Sequence, residues 1–262
     1  MSYALIAGGS KGIGYAIAEA LAKRGYDLIL IGRQVNVLET AKAALMDKYR
    51  VQVEMLQADL SEPDAATKIA NWCTGKKLPV NFLCNVAGLG GNKDFGLLPL
   101  KDLGTMVHLN VQSYISMCLQ MLPVLKAHAP SCILNVSSLA GFAPIPQKNV
   151  YAATKSAEIF FSYALRYQLK NDKISVSCLC PGPVFTTPEI IKTTIETLGA
   201  FGKALAVEPG IVGEIAVRNT LAGRMIIVPG KLAKLVSVML RVFPKRFIAM
   251  IYSSTRVGRQ PW

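Results

Sequence analysis

Tyr151 and Lys155 stand four residues apart, and Ser138 lies thirteen residues before the tyrosine. On a helix of 3.6 residues per turn, positions i and i+4 project from one face, so a phenol and an ammonium sit side by side. A phenol in water ionises near pH ~10. A cation 4 Å away at an effective dielectric of 20 is worth up to about 4 kcal/mol, or ~3 pKa units. Such a pair brings a tyrosine toward the range where it exchanges protons usefully. Ser138 adds a hydroxyl donor for a developing oxyanion. A Tyr-x3-Lys is common by itself, so its chemistry depends on what the remaining chain places around it.

A glycine-rich stretch supplies the first context. Gly8-Gly9-Ser10-Lys11-Gly12-Ile13-Gly14 joins a strand-like run to a helix-like one at the start of the chain. Glycines let the backbone approach a pyrophosphate, and a helix N-terminus offers N–H groups and partial positive charge. An NAD site carries an acid about 20 residues further on, where it accepts from the ribose 2′-OH. Here that region reads Leu30-Ile31-Gly32-Arg33 and holds no acid. Arg33 can face a 2′-phosphate, with Lys11 as a second cation, so the expected cofactor is NADP(H).

The elements that must position these groups alternate from the start. Strands are expected at 3–7, 27–31, 51–55, 80–84, 132–136 and 174–179, and helices at 12–24, 35–48, 103–127 and 150–170. Short β-branched runs joined by helices predict a parallel sheet covered on both faces. With right-handed crossovers this is an α/β, single-domain, doubly wound parallel sheet, the Rossmann fold. No long Gly/Ser or Pro-rich linker divides the chain, so residues 1–262 are expected to form one dinucleotide-binding and catalytic domain. Residues 183–206 follow a strand end, begin with Pro183, Thr186, Thr187 and Pro188, and read as a helical substrate lid.

Composition narrows the classes. The chain has 262 residues, of which 52% are hydrophobic and 17% charged, which excludes a disordered protein. The N-terminus lacks the cationic start of a signal peptide, and the six cysteines, mostly in apolar runs, read as reduced core thiols. Cys178 and Cys180 have no partner at zinc spacing, and no metal is expected. These features point to a cytoplasmic protein.

The formal net charge is +13, and nine of those positive charges fall after Glu214, where the chain has no further acid. Residues 231–243 read as a helix ended by Pro244, and 247–252 as a second apolar stretch. Neither reaches the ~20 apolar residues of a spanning helix. This basic, apolar extension (231–262) has three readings: an oligomer interface, a peripheral contact with an anionic membrane, or a wall for an apolar substrate. With no recognised module and only Phe243, Phe247, Tyr252 and Trp262 as aromatics, nucleic acid is not an expected partner.

These motifs together resemble the short-chain dehydrogenase/reductase family over roughly residues 3–230. The family's Thr-Gly-x3-Gly-x-Gly is matched by Ala7-Gly8-x3-Gly12-Ile13-Gly14, with Ala for Thr. Asp59-Leu60 is similar to the adenine-side Asp-Leu. Asn85-Val86-Ala87-Gly88 stands for Asn-Asn-Ala-Gly, and Asn110 for the tetrad's helix asparagine. Asn135-Val136-Ser137-Ser138 carries the serine, Tyr151-x3-Lys155 follows, and Pro181-Gly182-Pro183-Val184-x-Thr186 matches the segment that holds the nicotinamide. The resemblance implies that Tyr151 is the general acid/base, Lys155 binds the nicotinamide ribose and depresses the Tyr151 pKa, Ser138 polarises the carbonyl, and Asn110 holds a water. Ser137 and His108 read as structural. The expected reaction is NADPH-dependent reduction of a ketone, or oxidation of a secondary alcohol, on a lipid-like, 3-oxoacyl or steroid-like substrate. The expected assembly is a homodimer or homotetramer. The alternatives are an NADP-linked alcohol dehydrogenase for a small soluble substrate and a non-catalytic nucleotide-sensing scaffold. The scaffold predicts a broken tetrad, whereas all four positions are filled.

Overall fold

The structure is a computed structural model that describes residues 2–91 and 95–254. Its strands are β1 (Tyr3–Ala7), β2 (Asp27–Gly32), β3 (Val53–Gln57), β4 (Val80–Asn85), β5 (Ser131–Val136), β6 (Ile174–Leu179) and β7 (Ile226–Ile227). The helices are α1 (Gly12–Ala22), α2 (Val35–Tyr49), α3 (Ala65–Gly75), α4 (Leu100–Val107), α5 (Ser113–Ala127), α6 (Asn149–Gln168), α7 (Pro188–Leu205), α8 (Pro209–Leu221), α9 (Lys231–Val242) and α10 (Lys245–Ser254). The strands form one sheet in the order β3-β2-β1-β4-β5-β6-β7, and every neighbouring pair is parallel.

Period-2 alternation sends Ala4 and Ile6 into one core layer with α1 and α8, and Leu5 and Ala7 into the other with α3 and α5. Both faces are buried, which is why these strands read as continuous apolar runs. Ala7 pairs with Ile31 on one side and Asn85 on the other, so the carboxyl ends of β1, β2 and β4 finish level. The strand order reverses between β1 and β4, and a crevice opens beyond those ends.

Several expectations need correction. The single helix expected over 103–127 starts at Leu100 and is interrupted by a π-helical turn, His108–Gln112, between α4 and α5. The third strand begins at Val53 rather than Val51, because Arg50 ends α2 in a left-handed conformation (φ 56°) and the chain must turn back into the sheet. Two further helices were not legible. α3 buries Ala65, Ala66, Ile69, Ala70 and Cys73, and α8 buries Val212, Gly213, Ala216, Val217 and Thr220. Their contact faces are mostly small residues, which carry little apolar signal. Residues 183–206 hold α7, whose first turn has Pro188 and a Thr187 hydroxyl accepting from the Ile190 N–H at 3.3 Å.

The C-terminal extension folds back on the protein. Ala233 and Leu240 of α9 and Ile248 of α10 are buried with Leu139, Phe142, Ile145 and Ile159. The Lys245 ammonium donates to the carbonyls of Phe142 (2.9 Å) and Leu240 (2.6 Å), and the Arg241 guanidinium lies 4.9 Å from the Phe142 ring centre. The extension thus braces the segment that connects Ser138 to Tyr151. Arg256, Arg259 and Trp262, which share in the basic extension, lie outside the described residues.

Candidate active site

The phosphate end of the crevice is built by the β1–α1 turn. Gly8, Ser10, Lys11, Gly12, Ile13 and Gly14 line a cleft with Arg33, Asp59, Leu60, Ala87, Gly88 and Thr186. A Cβ on Gly14 would lie 1.9 Å from the Gly8 carbonyl oxygen, so only glycine lets this turn close over the start of α1. Lys11 stands immediately before α1, and Arg33 at the end of β2, each exposed. Asp59 is occupied locally: its Oδ1 accepts from the Ser61 N–H (2.9 Å) and hydroxyl (2.7 Å). The Ser61 N–H holds its carboxyl below the usual range, with a smaller contribution from Arg33. The cradle therefore offers backbone N–H groups, a hydroxyl and two cations, with no acid at the end of β2 to meet a ribose 2′-OH. That donor set fits a dinucleotide bearing an extra phosphate on that ribose.

The catalytic candidates converge where the cleft continues. Ser138, Tyr151, Lys155, Pro181, Gly182, Val184 and Thr186 line one space together with Gly88. The Lys155 ammonium lies 5.8 Å from the Tyr151 ring centre. The Ser138 hydroxyl oxygen accepts from the Ala140 N–H (3.1 Å), capping the turn Leu139–Phe142 and leaving its own O–H to donate. Ser137 is structural, as expected: its hydroxyl donates to the Lys155 carbonyl at 2.7 Å.

Lys155 has a partner that the sequence reading missed. Its ammonium donates to both oxygens of Glu158, at 2.8 and 3.0 Å, and to the Val136 carbonyl at 3.1 Å. Lys155 and Glu158 are 5% and 4% exposed, so this ion pair is shielded from water. Burial opposes the Lys155 charge, but Glu158 and then Tyr151 hold its pKa above the usual value. Burial pushes the Glu158 carboxyl up to about 7, against the pull of Lys155. The available signal was positional: residues 151, 155, 158 and 162 share one helical face, and 158 is its only acid.

Asn85 is placed differently from the expectation. Asn85 does not line the cleft; its amide nitrogen donates to Asn135 Oδ1 (2.9 Å) and to the Cys118 sulfur (3.3 Å) inside the core. It ties β4 to β5 beneath the site. Asn110 is fully buried in the π turn. Its Oδ1 accepts from the Leu89 N–H (2.8 Å), and its Nδ2 donates to the Leu89 carbonyl (2.9 Å) and the Thr154 hydroxyl (3.1 Å). The side chain thus clamps the loop after β4 to α6. A Cβ on Gly88 would sit 3.2 Å from Asn110 Oδ1 and 3.3 Å from Lys155 Nζ, so both side chains flank this glycine and leave no room for a larger residue. His108 opens the same turn and lines neither the cleft nor the cavity beside Tyr151.

That cavity, of about 340 Å³, is walled by Leu89, Leu98, Met106, Gln147, Lys148, Val150 and Tyr151 among others. Its walls come from the loop after β4, from α4, and from the start of α6 with the segment before it. The stretch 183–206, expected as a substrate lid, contributes Val184, Thr186 and Ile190 to the space that Ser138, Tyr151 and Lys155 line. Burial lowers the Lys148 pKa. Among the described residues, no cluster of His, Cys, Asp or Glu is arranged to hold a metal.

With this geometry established, comparison with known proteins gives a consistent result. The sequence model described as short chain dehydrogenase matches residues 2–194. A very-long-chain 3-oxoacyl-CoA reductase-A of Danio rerio is 32% identical over 199 residues, covering 74% of this chain and 62% of that protein. The chain therefore matches about three-fifths of that relative's length. Among solved structures, an L-sorbose reductase from Gluconobacter frateurii complexed with NADPH and L-sorbose superposes with a TM-score of 0.77 at 25% identity, covering 88% and 96% of the two chains. A 7β-hydroxysteroid dehydrogenase shares the fold with a TM-score of 0.87 at 20% identity, covering 97% of both chains.

Proposed function

The chain belongs to the short chain dehydrogenase family, and from that premise we propose that it is an NADPH-dependent reductase of ketones on lipid-like, acyl or steroid-like substrates. The observation that carries this reading is the convergence of Ser138, Tyr151 and Lys155 on one space that adjoins the cavity beside Tyr151. NADPH, when bound, supplies the hydride. Lys11, Arg33 and the N–H groups at the start of α1 would hold its phosphates, Asp59, Leu60, Ala87 and Gly88 its adenosine side, and Pro181, Gly182, Val184 and Thr186 its nicotinamide. Ser138 donates to the substrate carbonyl oxygen and polarises it. Tyr151 gives that oxygen a proton as the carbon is reduced, and takes it back in the alcohol-oxidising direction. Lys155 steadies the ionised phenol. Asn110 keeps Lys155 and the Leu89 loop in register, and 183–206 closes over the substrate.

The acyl preference is supported by the name of the Danio rerio relative and by the apolar Leu89, Leu98, Met106 and Val150 in the cavity. The test is NADPH oxidation with ketones graded by chain length. A rate that rises with length is expected; turnover confined to short, soluble ketones would favour the small-substrate alternative, and tighter binding of NADH than NADPH would remove the Arg33 argument.

The reading extends to where the protein works. Leu235, Val238, Met239 and Val242 on α9, and Phe247, Met250 and Ile251 on α10, are exposed large apolar side chains. Their i, i+3, i+4, i+7 spacing on α9 forms a stripe that faces away from the core. Lys231, Lys234, Arg241, Lys245 and Arg246 accompany it. No helix among the described residues is long and apolar enough to cross a membrane. The pattern fits a cytoplasmic protein that rests α9 and α10 on an anionic bilayer surface. Exposed Leu119 on α5 and Phe160 and Tyr167 on α6 offer a separate surface for a homodimer or homotetramer.

A further inference from the structure

Glu158 lies outside the four residues that carry the reaction, and its pairing with one of them, Lys155, bears on their chemistry. An ammonium acts on a neighbouring phenol through its field. In this chain the field has a second source of opposite sign, held bidentately 2.8 and 3.0 Å from the same nitrogen. Both groups are buried, so water screens neither. The Glu158 backbone carbonyl accepts from the Ser162 hydroxyl at 2.7 Å, and Ser162 in turn accepts from the Asn135 amide at 2.9 Å, which ties this turn of α6 to β5.

The other titratable groups that Glu158 influences are Tyr114 and Cys180. Tyr114 comes from α5, and Cys180 follows β6. Burial raises the pKa of both, so the phenol and the thiol stay neutral at physiological pH. Lys155 is therefore the counter-charge of Glu158 among the described residues.

We propose that Glu158 is a positioning residue of the reductase site, which fixes the Lys155 ammonium and cancels part of its field at Tyr151, so that the phenol keeps the proton it must donate to a ketone. This rests on the reduction reading of Tyr151. A lone lysine drives a nearby phenol toward ionisation, and an ionised phenol has no proton to give. An acid one turn further along the helix offsets that drive. Because burial holds the Glu158 carboxyl up to about 7, the offset develops as pH rises through neutrality. Below that range the carboxyl is protonated, and wild type and a neutral variant should behave alike.

The test compares wild type with Glu158→Gln, and each with the same chain carrying Tyr151→Phe. Ultraviolet difference titration without substrate isolates the Tyr151 phenol from the chain's other tyrosines. In Glu158→Gln the phenol is expected to ionise about one pH unit lower than in wild type. In the ketone assay, the alkaline limb of kcat/KM is expected to fall by the same interval while the rates below pH ~6 agree. Glu158→Asp, which keeps the charge, should restore most of the wild-type titration; it also serves if Glu158→Gln fails to fold, since drawing the charge back by one methylene should lower the titration part-way. An unchanged phenol titration in a folded Glu158→Gln protein would overturn the proposal even if ketones are reduced. A shifted titration with no turnover of any ketone would overturn the reductase reading instead and leave the Glu158 assignment standing.

Discussion

Tyr151 and Lys155 meet on one face of α6, and the residues around them determine what that contact does. Ser138 reaches the same space from the end of β5, with its O–H left to donate because its oxygen already caps a turn. Replacing Tyr151 with Phe keeps the ring and removes the proton. Turnover should fall ~10²–10⁴-fold, the usual contribution of general acid–base catalysis, with little change in NADPH affinity. Steady-state kinetics together with cofactor fluorescence titration would separate the two effects. Arg33 acts on a different quantity. A hydrogen bond to a charged group contributes about 1.5–3 kcal/mol, so Arg33→Ala should weaken NADPH binding by ~10–100-fold and leave NADH binding nearly unchanged. Equal losses for both cofactors would place Arg33 away from the 2′-phosphate.

At the scale of elements, two irregularities shape the site. The first is the glycine turn. A methyl group at Gly14 would meet the Gly8 carbonyl at 1.9 Å, and backbone cannot yield as a flexible side chain can. Gly14→Ala should therefore destabilise the fold by about 1–3 kcal/mol, as overpacking does, and raise the NADPH Kd at least about tenfold. Thermal melts with and without cofactor would show both effects, and a variant that melts and binds like wild type would contradict the close approach. The second is the π turn between α4 and α5. An extra residue in the turn brings Asn110 inward, where it holds both polar groups of Leu89 and the Thr154 hydroxyl. The stretch 103–127 reads as an unbroken helix because the π turn, His108–Gln112, contains no Gly or Pro to mark the irregularity. Glu158 escaped notice for a related reason: on sequence alone, an acid at i+3 from a lysine is an ordinary surface pair.

For the whole molecule, the question is how a strongly basic chain distributes its charge. The acid-free stretch after Glu214 ends in α9 and α10, whose inner residues brace the Ser138–Tyr151 segment and whose outer residues expose apolar side chains. A surface of that kind gains roughly 1 kcal/mol per Lys or Arg near an anionic bilayer, in addition to its apolar contact. Full-length protein should float with vesicles containing phosphatidylserine and remain behind with neutral vesicles. The bound fraction should fall as salt shortens the Debye length from about 10 Å at 0.1 M to 3 Å at 1 M. Equal flotation with neutral lipid would mean that charge is not the attraction, and no flotation at all would remove the membrane from the account.

The sequence alone determined the alternation of strands and helices, the parallel sheet, the nucleotide turn and the Ser138–Tyr151–Lys155 spacing. Each of these rests on local periodicity or on backbone geometry that only certain residues permit, such as the glycines of residues 8–14. Tertiary structure alone decided what stands next to these groups. Asn85 turns into the core and Asn110 clamps a loop because their partners, Asn135 and Leu89, are 50 and 21 residues away in the chain. The cavity beside Tyr151 is walled by α4 rather than by the stretch 183–206, because packing, not chain order, brings α4 against α6. The Lys155–Glu158 pair matters because burial removes the water that would otherwise screen it. Spacing places two charges on one face, but only the packed core determines the dielectric between them.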